Sequence, residues 1–121
     1  MNEYTTDFIR NVALVGHGGA GKTSLVEAML NVTGATTRLG KIEDGTTISD
    51  FEDEEQSRQM SISTSLVSCI YENYKVNLLD TPGFTDFVGE VKSALHVADA
   101  AIVVVDAVAG VEVGTELVWD Y

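Results

Sequence analysis

Apolar residues in this 121-residue chain fall in short blocks separated by glycine-rich, polar or acidic stretches. After a polar lead-in over residues 1–10, the run Val12, Ala13, Leu14, Val15 is unbroken and ends in a glycine. An apolar stretch of that length predicts a strand buried on both faces, as in a parallel sheet. Beyond the glycine-rich turn, Leu25, Ala28 and Met29 recur at helical spacing, so a helix over residues 22–30 follows directly. From residue 31 to 61 the periodicity dissolves into Thr, Gly, Asp and Glu. So long an irregular stretch inside one domain predicts a mobile functional loop, with one short helical piece near residues 51–57.

Alternation returns in "SISTSLVSCIY", where Ile62, Thr64, Leu66, Ser68 and Ile70 share one face. Glu72-Asn73 then forms a tight turn and "YKVNLLD" runs back, which makes the pair antiparallel because a parallel return needs a long crossover. Phe87, Val91, Ala94, Leu95 and Ala98 form the stripe of a second helix. The most hydrophobic segment, "AAIVVVDA" over residues 100–107, predicts a central strand. A last helical pattern, "VEVGTELVWDY", reaches Tyr121 without a capping glycine, proline or polar tail, and so reads as an edge within a longer protein. Leu117 and Trp119 are expected to pack that helix on the sheet. Together the blocks predict a three-layer α/β fold, its sheet mostly parallel with one antiparallel edge strand.

Composition narrows the class. Length suits one domain, and a hydrophobic content of 45% supports a core. The formal net charge is −12, with seven acids between Glu43 and Glu55. Such a balance argues against broad nucleic-acid binding through this part of the protein. The single cysteine, Cys69, sits in an alternating apolar run and is expected to be a small buried hydrophobe. No signal peptide opens the chain and no stretch approaches the ~20 apolar residues of a membrane span, so a cytoplasmic setting is the expectation.

The candidate chemistry begins at "GHGGAGKT", which is Gly16, His17, Gly18, Gly19, Ala20, Gly21, Lys22 and Thr23. Every fixed position of the pattern G-x-x-x-x-G-K-[ST] is present, between a buried strand and a helix. The glycines allow successive backbone N–H groups to turn inward around a phosphate. Lys22 places an ammonium against the β- and γ-phosphates, and the helix contributes the positive end of its dipole. Thr23 offers a hydroxyl to Mg²⁺, and Ser24 is within reach of the α-phosphate. His17 reads as a structural residue at the mouth of the loop rather than a base. A second motif, Asp80, Thr81, Pro82 and Gly83, follows the apolar "VNLL" and falls at the carboxyl end of a strand, where ligands gather in open α/β sheets. Its carboxylate is suited to hold Mg²⁺ through a water, and the Gly83 N–H to meet a γ-phosphate oxygen. The two motifs predict a P-loop fold that binds a nucleoside triphosphate with Mg²⁺, with Lys22, Thr23 and Gly83 as the groups closest to the chemistry.

"RNVALVGHGGAGKTSL", "DGTTISDFEDEEQSRQMSIS" and "DTPGFTDFVGEV" resemble the first half of the GTPase domain of elongation factor G and its relatives. The resemblance implies that residues 1–121 are the amino-terminal part of a GTP-binding domain in a multidomain translation factor that works on the ribosome. It also implies that residues from about 31 to 61 are switch I and that the Asp-Thr-Pro-Gly loop opens switch II. The chain departs from the family pattern at three places. Where relatives end switch I in Arg-Gly-Ile-Thr, with a threonine on Mg²⁺, this chain reads "RQMS", leaving Ser61 as the hydroxyl ligand. Gly19 replaces an aspartate of the phosphate loop. Phe84 replaces the histidine thought to orient the attacking water, and a hydrocarbon ring has neither donor nor acceptor for that task. Packing, as a gate or wedge, is the role left to it.

Three functions stay open on the sequence. One is a translational GTPase, slow because of Phe84; one is a GTP-dependent ribosome-binding switch with negligible hydrolysis; the third is an unrelated P-loop ATPase. Guanine over adenine is carried by the resemblance alone, since the Asn-Lys-x-Asp element that selects the base is not found in these residues.

Overall fold

The computed structural model describes residues 3–36, 63–83 and 87–121. The regular elements in chain order are β1 (Ile9–Gly16), α1 (Lys22–Val32), β2 (Ser65–Tyr71), β3 (Tyr74–Asp80), α2 (Val88–Val97), β4 (Ala100–Val104) and α3 (Val113–Trp119). A short 3₁₀ turn, Thr6–Phe8, leads into β1, so the first strand starts earlier than the apolar run alone predicts. The four strands form one sheet in the order β2-β3-β1-β4, with β1 parallel to both β3 and β4 and β2 antiparallel to β3. The predicted three-layer α/β architecture, mostly parallel with an antiparallel edge, is the observed one.

Period-2 geometry in β1 explains the layering. Leu14 joins Val26 and Leu30 of α1, Cys69 of β2 and Leu78 of β3 in one buried cluster. Its neighbours Ala13 and Val15 point through the opposite face to Val91 and Ala94 of α2. A strand sandwiched this way needs apolar side chains at every position, which is the unbroken run read from the sequence. Leu14 and Leu78 are fully buried, and burial of each contributes about 1.5–3 kcal/mol. The α1 face differs by a small rotation from the predicted one: Val26 and Leu30 are buried, whereas Leu25 and Met29 flank the cluster. The helix also runs two residues past Leu30 to Val32.

The hairpin forms as predicted. Glu72 and Asn73 both adopt positive φ, 48° and 71°, the handedness that suits a two-residue turn between twisted strands. Its pairing places Ser68 opposite Asn77, and Asn77 next to Asn11. Ser68 Oγ donates to Asn77 Oδ1 at 2.7 Å, and Asn77 Nδ2 donates to Asn11 Oδ1 at 2.8 Å, a polar line across three strands.

Within β2 the face that carries Leu66, Ser68 and Ile70 is exposed, whereas Ser65 and Cys69 are buried. Apolar residues occupy both faces of this strand, so alternation does not say which face α1 covers. Two expectations need correction. First, β4 is at an edge of the described sheet instead of its centre. Ala100, Ala101 and Ile102 are exposed, so hydrophobicity alone does not rank strand positions; β1 takes the interior because both β3 and β4 pair with it. Second, α3 forms but does not use Trp119 to reach the sheet. Trp119 is 78% exposed, and Val118 packs beside the second core cluster instead. The burial of Cys69, a free thiol, agrees with expectation. No helix among the described residues is long and apolar enough to cross a membrane.

Candidate functional site

Parallel pairing of β1 and β3 places Leu14 opposite Asp80, so the segments leaving both strands emerge side by side at the carboxyl edge of the sheet. Thr81 extends this junction, donating through its N–H at 3.3 Å and its hydroxyl at 2.6 Å to the Leu14 carbonyl. Asp80, Thr81 and Pro82 are all fully buried. The second loop is therefore held against the end of β1 before it reaches Gly83.

After Gly16 the chain turns tightly, with the Ala20 N–H donating to the His17 carbonyl at 3.2 Å. Gly19 and Gly21 lie at φ +80° and +104°, values that side-chain-bearing residues rarely adopt. Gly21 is the N-cap of α1, with no side chain closing the amino end, and the first intrahelical bond runs from the Leu25 N–H to the Gly21 carbonyl at 2.9 Å. This turn-and-helix geometry is that of a backbone anion cradle. Gly18 is half-buried and Gly19 and Ser24 are exposed, whereas Lys22 and Thr23 are buried.

Lys22 Nζ folds back to donate to the carbonyls of Gly16 at 3.2 Å and His17 at 3.0 Å. Burial pushes this ammonium below the ordinary lysine value, while the Asp80 carboxylate pulls it back up. A buried cation held against two backbone carbonyls is poised for an anion that would restore its proton affinity. Thr23 Oγ1 donates to Asp80 Oδ2 at 2.6 Å, joining residues 57 positions apart. The length is that of a charge-assisted bond. A hydroxyl and a carboxylate together, both hard oxygen donors beside a phosphate cradle, match what Mg²⁺ takes from proteins when phosphates and waters complete its shell. Among the described residues no group of three or more His, Cys, Asp or Glu could hold a metal ion. Gly83 closes the site: a Cβ there would lie 2.5 Å from Lys22 Nζ and 2.6 Å from Gly18 N and Cα.

The structure thus brings Gly16, His17, Gly18, Lys22, Thr23, Asp80 and Gly83 together. The Thr81 side chain is engaged with β1. Ser61 and Phe84 lie outside the described residues. One contact was not anticipated: His17 Nδ1 accepts the Gly114 N–H at 3.0 Å, across 97 positions. A glycine inside a helical pattern was the available signal, since such glycines commonly mark close packing.

Strand, cradle, lysine and buried Thr–Asp pair define the class: a P-loop nucleotide-binding domain. The sequence matches the family described as the elongation factor Tu GTP binding domain over residues 7–121. The chain belongs to that family, and is a P-loop GTP-binding domain of the kind found in GTPase enzymes. Membership sets aside the unrelated ATPase. The chain is 45% identical over 118 residues to elongation factor G 2 of Streptomyces coelicolor, covering 98% of this chain and 17% of that protein. It is 41% identical to mitochondrial ribosome-releasing factor 2 of Scheffersomyces stipitis, again over 98% of this chain but 14% of the relative. A crystal structure of a Thermus thermophilus protein superposes with a TM-score of 0.90 at 50% identity, over 93% of this chain and 17% of the other. The chain therefore spans about one-sixth of the length of these relatives.

Proposed function

We propose that this chain is the amino-terminal part of the GTP-binding domain of a translation factor resembling elongation factor G. In that role the protein couples GTP binding and slow hydrolysis to action on the ribosome, in the cytoplasm. The 2.6 Å Thr23–Asp80 bond carries the proposal, because it makes one site of two loops that are distant in sequence. Lys22 would neutralise the β- and γ-phosphates, and the backbone around Gly18, Gly19, Ala20 and Gly21 would wrap the β-phosphate, with Ser24 near the α-phosphate. Thr23 and Asp80, with Ser61, would hold Mg²⁺, which when bound offsets charge on the phosphate oxygens. Gly83 would present its N–H to the γ-phosphate, and the stretch from about residue 31 to 61 would be switch I.

Phe84 sets the rate in this proposal. With no group to align water, the expected penalty is ~10²–10⁴ in hydrolysis, the contribution of a positioned acid–base group. Nucleotide affinity should be little changed, because the phosphate contacts lie elsewhere. The same residue favours a second reading, a GTP-dependent ribosome-binding switch whose output is docking. Single-turnover GTP cleavage by the full-length protein on ribosomes separates the two. A slow but ribosome-stimulated rate, raised by Phe84→His, is expected for the GTPase; stable GTP retention on the ribosome is expected for the switch. A Phe84→His variant no faster than its parent would overturn the role assigned to Phe84.

A further inference from the structure

We propose that His17 is a positioning residue that locks the phosphate loop to Gly114 in α3, so that α3 sets the shape of the cradle. His17 is engaged on both sides. Its carbonyl accepts from Lys22 Nζ at 3.0 Å and from the Ala20 N–H at 3.2 Å, so its main chain helps aim the ammonium and close the turn. Its imidazole accepts the Gly114 N–H at Nδ1, which places the proton of the neutral ring on Nε2. That nitrogen faces Glu112 Oε1 at 3.8 Å. The ring is thereby oriented by two groups at the start of α3, and the same residue's carbonyl orients Lys22.

Gly114 is fitted to this contact. A Cβ on it would lie 2.6 Å from His17 Nδ1 and 2.9 Å from His17 Cα. Glycine is a poor helix former, yet here any side chain would push the imidazole, and with it the loop, away. Glu112 and Thr115 hold the amino end of α3 through a reciprocal capping box, which keeps the Gly114 N–H aimed at the ring. The outer side of the same helix carries the exposed Trp119. A displacement of α3 would therefore reach Lys22 through one imidazole.

The consequence for nucleotide rests on the phosphate-binding function proposed above; the contact itself does not. The test uses full-length protein, with nucleotide-free amide exchange of the peptide carrying Gly114 and, separately, the dissociation constant for GDP in magnesium buffer. His17→Leu removes the acceptor at similar bulk and should speed exchange at Gly114 and weaken GDP about 3- to 10-fold, the scale of one neutral hydrogen bond. His17→Asn returns an acceptor near the Nδ1 position and should restore both. Gly114→Ala should weaken GDP as well, because its Cβ would meet His17 Nδ1 at 2.6 Å and His17 Cα at 2.9 Å and push the loop away. Unchanged exchange in His17→Leu, or no rescue by His17→Asn, overturns the lock. Should the parent protein bind no purine nucleotide, the functional proposal falls, while the exchange contrast still decides the lock.

Discussion

Adding one methyl group at Gly83 should separate nucleotide binding from hydrolysis. In the structure a Cβ at this position would stand 2.6 Å from both the nitrogen and the Cα of Gly18, and 2.5 Å from Lys22 Nζ. The lysine tip can swing aside, but Gly18 is backbone. Its loop is tied to Lys22 through the Gly16 and His17 carbonyls and to α3 through His17. The cheaper response is for residue 83 to move outward, by about 0.8 Å, to reach ordinary contact near 3.4 Å. Buried Pro82 and the Thr81–Leu14 bonds upstream resist anything larger. A misplacement of ~1 Å near reacting atoms costs about 10²-fold in rate, so a fall of roughly 10- to 100-fold is the reasonable range. Lys22, Thr23 and the cradle amides stay in place, and GDP affinity should change by less than about threefold, within the worth of one weak hydrogen bond. The assay is single-turnover GTP cleavage by full-length Gly83→Ala on ribosomes, beside a GDP titration and a thermal melt. Parental cleavage with an unchanged melt would refute the reasoning, since it would mean that the approach of Gly83 to Gly18 has no bearing on hydrolysis.

Two further outcomes follow from the buried pair and the buried lysine. Thr23→Ala should lose magnesium-dependent nucleotide affinity by at least ~10-fold, whereas Thr23→Ser, which keeps the hydroxyl beside Asp80, should lose much less. Titration of nucleotide affinity against Mg²⁺ checks this, and equal losses in the two variants would contradict it. Lys22 is held below the ordinary lysine value of 10.5 mainly by burial, and bound phosphate would raise it again. Nucleotide binding should therefore take up a proton in the alkaline window between the lowered value and the bound one, measurable by calorimetry in buffers of different ionisation enthalpy. For the nucleotide-free protein the sign is opposite in consequence. Between the lowered value and 10.5 the unfolded chain carries the extra proton, so the fold gains stability as pH rises there. Absence of proton uptake, or its persistence in Lys22→Met, would contradict the assignment.

Much of the site was legible because its parts are local. A glycine pattern with Lys22 and Thr23 constrains eight consecutive residues, and the positive φ at Gly19 and Gly21 is the conformation those glycines permit. The same holds for the Glu72-Asn73 turn and the buried run in β1. Local patterns were silent wherever two distant segments had to choose each other. Alternation in β2 carried apolar residues on both faces, and the seat of α1 covers the Cys69 face and leaves Leu66 exposed. Strong hydrophobicity in β4 said that the strand is needed, and only strand pairing said where it lies.

The candidate parts were written in the sequence alone: a glycine-rich turn, a lysine, and two oxygen donors, each in contiguous residues whose backbone conformations are short-range steric matters. Tertiary structure decided their convergence. Parallel pairing of β1 with β3 puts the Thr23 hydroxyl 2.6 Å from Asp80, and the seating of α3 brings Gly114 to His17. These depend on which surfaces bury one another across 57 and 97 positions, a free-energy choice made by the whole core.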